Sequence, residues 1–166
     1  MKHPAALVAW FTAALVIAVD QATKIWAVAQ LEGQPERELI GQFLKLSFVR
    51  NPGAAFGLGG GATIVFSLVA VAVAVFLVRM STKLVSYWWA VAMGLMLGGA
   101  LGNLIDRLFR EPSVLQGHVV DFLRLPHWPV FNVADSCLVV SAVMIVALSV
   151  LNVPYDKPRA AEATPA

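Results

Sequence analysis

Two aspartates sit where carboxylates are expensive. Asp135 lies in FNVADS, at the start of the apolar run SCLVVSAVMIVALSVLNV, and Asp121 lies in HVVDFL, between valines and a phenylalanine. Two carboxyls a few ångströms apart do not both ionise readily; one keeps a proton while the other stays charged. Such a pair can take a proton from water and give one to a carbonyl oxygen or a leaving amine. That is the aspartic-protease solution to amide hydrolysis, and it needs no cofactor and no nucleophilic side chain. The interval between the two contains Pro126 and Pro129 and can fold back, which would bring the carboxyls together.

Structural readings stand beside the chemical one. Asn132 and Asp135 have the spacing of a helix N-cap and its N3 acid, which the positive end of a helix favours. Asp121 has no comparable account, because HVVDFL shows no helical period. Other polar residues gather at the ends of apolar segments: Asp20, Gln21 and Lys24; Arg50 and Asn51; Asn103, Asp106 and Arg107. Asp20 and Lys24 are four apart and can form an ion pair on one helix face. Asp106 falls at the C-terminal end of its helix, where the macrodipole disfavours a carboxylate. Capping therefore does not explain it, whereas a polar cluster with Asn103 and Arg107 would. His118 and His127 flank Asp121, but no H-E-x-x-H, Cys-x2-Cys or His-x3-His spacing appears, so no metal is expected. Ser136 has no G-x-S-x-G setting. Cys137 is the single cysteine, which excludes an intrachain disulfide, and it reads as a buried, inert thiol.

These residues need a scaffold, and the composition says which kind. The chain has 166 residues, 59% hydrophobic and 13% charged, with a mean hydropathy of +0.76. Soluble domains carry about a quarter charged residues, so this is a membrane protein. A net charge of +2 gives no argument for nucleic acid. Four segments are long and apolar enough to span: about 5–29, 62–78, 88–105 and 133–153. The first also resembles a signal peptide with Ala27-Val28-Ala29 as its cleavage site, but Asp20 and Lys24 interrupt that pattern. Residues 1–154 read as one membrane-embedded domain and 155–166 as a disordered, Ala/Pro-rich tail.

Four spans put both termini on one side. Lys and Arg number five there and seven on the other side, so the charge count does not orient the chain. The two long links fall on the face opposite the termini. One contains LKLSFV, whose alternation predicts a strand, followed by the glycine-rich RNPGAAFGLGGG. Gly94, Gly98 and Gly102 make a flat face on the third span, suited to close helix packing.

The motifs DQATK (Asp20–Lys24), RNPGAAFG (Arg50–Gly57), GALGNLIDR (Gly99–Arg107), VVDF (Val119–Phe122) and FNVADS (Phe131–Ser136) occur in this order. Together they resemble those of the bacterial lipoprotein signal peptidases, the signal peptidase II family. The resemblance implies an aspartic endopeptidase of the inner membrane. Such an enzyme removes the signal peptide from prolipoproteins just before a diacylglyceryl-modified cysteine. It implies Asp121 and Asp135 as the catalytic pair, with Asp20, Lys24, Asn51, Gly53, Asn103, Asp106, Arg107 and Asn132 binding substrate or organising the site. It also implies four transmembrane helices, with a small β-sheet cradle and a short helix on the outer face. Both termini would be cytoplasmic and the site near the periplasmic face. Prolipoprotein and membrane lipid are the expected partners, with a monomer and no cofactor, metal or nucleic acid. Pro52 is a departure from the family pattern, and it bears on how the loop approaches substrate. The alternatives are a proton-coupled transporter or channel using the same acids, which would need polar groups through the bilayer depth, and a non-catalytic assembly factor.

Overall fold

The computed structural model describes residues 4–53, 60–81 and 84–156. Four long helices dominate it: α1 (Pro4–Leu31), α2 (Gly60–Ser81), α3 (Tyr87–Phe109) and α4 (Val133–Val150). Each is long and apolar enough to cross a bilayer. Large apolar side chains stay exposed along them, such as Phe11 on α1, Phe76 on α2 and Val143 on α4. In a membrane these face hydrocarbon, and the helical backbone satisfies its own polar groups.

The central helix is α3, which packs against α1, α2 and α4. Its glycines explain the close approach to α1. A Cβ on Gly98 would meet the Ala13 carbonyl oxygen at 2.9 Å, and one on Gly102 would meet Asp20 Oδ2 at 2.7 Å. Ala9 faces Gly94 while Asp20 faces Gly102, so α1 and α3 run in parallel and α2 and α4 return. The two ends of the bundle are unlike. At the terminal end, Trp89 donates to the Val153 carbonyl at 2.9 Å and Tyr155 donates to the Met80 carbonyl at 2.6 Å. Tyr155, which the sequence reading places in the tail, is thereby docked; residues 157–166 lie outside the described residues.

The other end carries an antiparallel sheet in the order β1 (Arg37–Ile40), β2 (Leu44–Asn51), β3 (Val119–Arg124). The expected strand LKLSFV lies within β2. Leu46 and Phe48 pack on a small core of Ala27, Leu31, Val120 and Phe122, which seats the sheet on the end of α1. Sequence reading left β3 without an assignment. Val119 to Phe122 are all buried, so the strand has no polar face and no alternation to read.

Of the outer face, residues 54–59 lie outside the described residues. No short helix stands among its described residues. The segment after α3 is a run of bends and turns, in which Pro112, Leu115 with φ of 65° and a tightly packed Gly117 interrupt any helical path. The interval between the two aspartates does fold back. Phe131 bridges to Leu123, donating to its carbonyl at 2.9 Å and accepting from its N–H at 2.8 Å.

Candidate active site

Asp121 and Asp135 meet at the junction of sheet and bundle, linked through Asn132. The Asn132 amide nitrogen donates to Asp121 Oδ1 at 2.7 Å, while its backbone N–H donates to Asp135 Oδ2 at 3.1 Å. Asp135 returns its own N–H to Asn132 Oδ1 at 2.9 Å. The capping box is therefore real, and it uses only one carboxylate oxygen. The other, Oδ1, accepts from Asn103 Nδ2 at 2.8 Å.

The sheet register supplies the remaining donor. Asn51 pairs with Val119 and Val49 with Asp121, so Asn51 and Asp121 are diagonal neighbours on one face. Asn51 Nδ2 donates to Asp121 Oδ2 at 2.8 Å, and its Oδ1 accepts from the Gly53 N–H at 2.9 Å. Gly53 has φ of +95°, a conformation that favours glycine. Asp121 is 1% exposed. Burial is the main cause that pushes its pKa up to about 6, with the Asp135 charge adding to it and the Asn51 and Asn132 amides opposing.

Beneath the pair lies a buried ion cluster. Lys24 Nζ contacts Asp20 Oδ2 at 2.9 Å, Asp106 Oδ2 at 3.0 Å and Asn103 Oδ1 at 2.9 Å. Each acid of the cluster also grips the backbone one residue before a dyad aspartate. Asp106 Oδ2 accepts from the Val120 N–H at 3.1 Å, and Asp20 Oδ1 accepts from the Ala134 N–H at 3.0 Å. Gln21 Nε2 joins the two acids, at 3.1 Å to Asp20 and 3.3 Å to Asp106. Asp106 thus escapes the penalty of its helix end through partners. Sequence reading expects Arg107 among them, but the arginine that pairs is Arg110, at 2.8 Å from Asp106 Oδ1. Its i,i+4 spacing was the available signal.

Arg107 points elsewhere. Its Nε and Nη1 are buried without a hydrogen-bond partner, and its guanidinium lies over Phe66, 6.0 Å from the ring centroid. It lines, with Asn103, a cavity of about 240 Å³ walled by Phe66, Val69 and Ala70 of α2 and Leu138 of α4. On the other side of α4 a cavity of about 400 Å³, lined by Leu125, Trp128, Phe131, Val139 and Val140, reaches Asp135 and Ser136. All ten residues expected at the site are described; besides the pair itself, seven adjoin it directly or through one partner, and Arg107 faces the neighbouring cavity. Cys137 is half-buried and takes no part. No group of three or more His, Cys, Asp or Glu side chains is placed to hold a metal ion among the described residues.

Comparison with known proteins finds matches over most of the chain. The family model described as "Signal peptidase (SPase) II" matches residues 12–151. A lipoprotein signal peptidase of Rhodococcus jostii (strain RHA1) is 49% identical over 159 residues, spanning 96% of this chain and 80% of that protein. One of Mycobacterium avium (strain 104) is 50% identical over 145 residues, 87% of this chain and 79% of that one. A solved bacterial membrane enzyme at 1.9 Å resolution superposes with a TM-score of 0.75 at 32% identity, covering 88% of this chain and 94% of its own. The transporter alternative finds no support in these matches.

Proposed function

The chain belongs to the signal peptidase II family, and on that premise we propose that it removes the signal peptide from diacylglyceryl-modified prolipoproteins, cleaving just before the lipid-modified cysteine with water activated between Asp121 and Asp135. The observation that carries the reading is the shared Asn132, which holds both carboxyls of the pair through one residue. The charged member takes a proton from water as it attacks the scissile carbonyl. The protonated member gives its proton to the carbonyl oxygen, and the roles exchange as the amine departs. Asn103, Asn51 and Asn132 aim the carboxyls, since their amides already donate to them. Asp20, Lys24 and Asp106 fix the two backbone segments from which Asp121 and Asp135 project.

The two apolar cavities, one reaching Asp135 and the other Asn103, suit a substrate that carries hydrocarbon. Arg107, whose Nε and Nη1 are buried without a hydrogen-bond partner among the described residues, is the residue proposed to take an oxygen of the lipid-modified end. The site lies about 24 Å along α1 from Pro4, counting 16 residues to Asp20 at 1.5 Å each. That is close to the far edge of a hydrocarbon core about 30 Å thick. Acyl chains can then enter from the side and water from above. Both termini are placed in the cytoplasm and the site at the periplasmic face of the inner membrane, with a monomer as the working unit.

The test is cleavage in detergent of one prolipoprotein in two forms, with and without the diacylglyceryl group. The expected result is a single cut before the cysteine, confined to the modified form. Equal cleavage of both forms would contradict the assigned substrate.

A further inference from the structure

The second span walls the cavity beside Arg107 with Phe66, Val69 and Ala70, and it also holds the turn that follows Asn51. Thr63, 2% exposed on α2, donates from Oγ1 to the Pro52 carbonyl oxygen. A helical Thr or Ser ordinarily returns its hydroxyl to a carbonyl of its own helix, as Ser149 does to Ile145 at 2.8 Å. Thr63 uses its one proton on another segment. The Pro52 carbonyl and the Gly53 N–H belong to one planar peptide unit. Its oxygen accepts from Thr63, and its N–H donates to Asn51 Oδ1 at 2.9 Å. Turning that plane away from Thr63 turns the N–H away from Asn51. Phe66, one turn along α2, closes the same side, for a Cβ on Gly53 would come within 3.1 Å of its ring.

We infer that Thr63 is a positioning residue for the peptidase reaction: by fixing the Pro52–Gly53 peptide plane it holds the Asn51 amide on the Asp121 carboxylate. The inference rests on the peptidase reading above. It gives α2 a part in aligning the pair through Asn51. Asp121 is faced by Asn51 from β2, by Asp135 and Asn132 from α4 and its cap, and electrostatically by Lys24 from α1 and Arg107 from α3. Of these, only the Asn51 contact runs through Thr63. A carboxylate that loses a donor binds its proton more tightly.

The experiment is the pH dependence of single-turnover cleavage of the modified prolipoprotein by wild type, Thr63→Val, Thr63→Ser and, as reference, Asn51→Ala. Ser149→Ala controls for loss of a hydroxyl from a span. Thr63→Val is expected to be slower by about tenfold, the scale of one net hydrogen bond. Its limb of the profile governed by the aspartates should move to higher pH, in the direction of Asn51→Ala and no further. Thr63→Ser should recover most of the rate and the wild-type profile. Thr63→Ala removes the same hydroxyl without bulk and replaces the valine variant should that not fold. A slower hydroxyl-less variant with an unshifted profile, a variant as fast as wild type, or a serine variant shifted like valine would each overturn the inference. An inactive wild type would instead overturn the peptidase reading, and this inference with it.

Discussion

At the residue scale, Asp121 is the most informative group. It is almost fully buried, and its pKa is pushed from 3.8 up to about 6 by that burial and by Asp135. The folded protein therefore holds a proton there that the unfolded chain has released between those two values. Stability contributed by this group is present below about pH 3.8 and lost as pH rises through about 6. The loss is on the order of 3 kcal/mol at one unit per 1.36 kcal/mol. Thermal unfolding in detergent should show a midpoint that falls between pH 4 and 7, with the fall reduced in Asp121→Asn. An equal fall in both proteins would mean that Asp121 is not the titrating group. The two aspartates were legible from their placement beside apolar residues. The asparagines were legible as residues, but not as donors to Asp121 and Asp135, because Asn51, Asn103 and Asn132 converge from β2, α3 and the cap of α4 only in three dimensions.

At the element scale, the ion cluster and the glycine face set where those residues stand. Among the described residues Lys24 is the one cation in contact with both Asp20 and Asp106, and all three are buried. Removing it leaves two carboxylates without that partner. Lys24→Met should destabilise by about 3–5 kcal/mol, as loss of one member of a buried pair does, and should abolish cleavage in whatever protein remains folded. A stable, active Lys24→Met variant would show that the cluster does not organise the site. The glycine face offers a graded comparison. Gly94→Ala would set a Cβ 2.7 Å from the Ala9 carbonyl oxygen, and Gly102→Ala would set one 2.7 Å from Asp20 Oδ2. Both should lower stability by about 1–3 kcal/mol, the range for overpacking. Only Gly102→Ala should also slow single-turnover cleavage, because it displaces an acid that holds the Ala134 N–H. The i,i+4 pair of Asp20 and Lys24 was readable from spacing, and so was β2 from its alternation. Strand β3 was not, because both of its faces are covered. Nor was the contact of Lys24 with Asp106, which needs α1 and α3 to lie side by side.

At the scale of the whole molecule, charge is distributed unevenly in depth. Among the described residues every buried charged side chain, Asp20, Lys24, Asp106 and Asp121, belongs to the sheet end of the bundle. A path for ions through the bilayer would need others at the terminal end. The four spans were legible from hydropathy alone, and their count put both termini together. Lys and Arg counts did not orient the chain, since the polar end gathers cations for its own ion pairs, among them Arg50 with Glu32 and Arg124 with Glu36. Orientation therefore needs its own measurement. With Cys137 replaced by serine, a cysteine at the exposed position Glu38 on β1 should react with a membrane-impermeant thiol reagent in intact cells. One added at the C-terminus should react only after lysis. The reverse pattern would turn the molecule over and put the site on the cytoplasmic side.

Two aspartates, placed by β3 and by the first turn of α4, are proposed to share the work of activating water. Single-turnover cleavage of the diacylglyceryl-modified prolipoprotein by wild type, Asp121→Asn and Asp135→Asn tests it most directly, once folding of each variant is verified. Asparagine preserves shape and cannot exchange the proton. Both variants are expected to lose cleavage by at least about a hundredfold, the lower range for general acid–base catalysis, while wild type stays active in the presence of a chelator. Normal cleavage by either variant would contradict it and return that aspartate to a structural part, Asp135 as a helix cap or Asp121 as an anchor for the Asn51 loop.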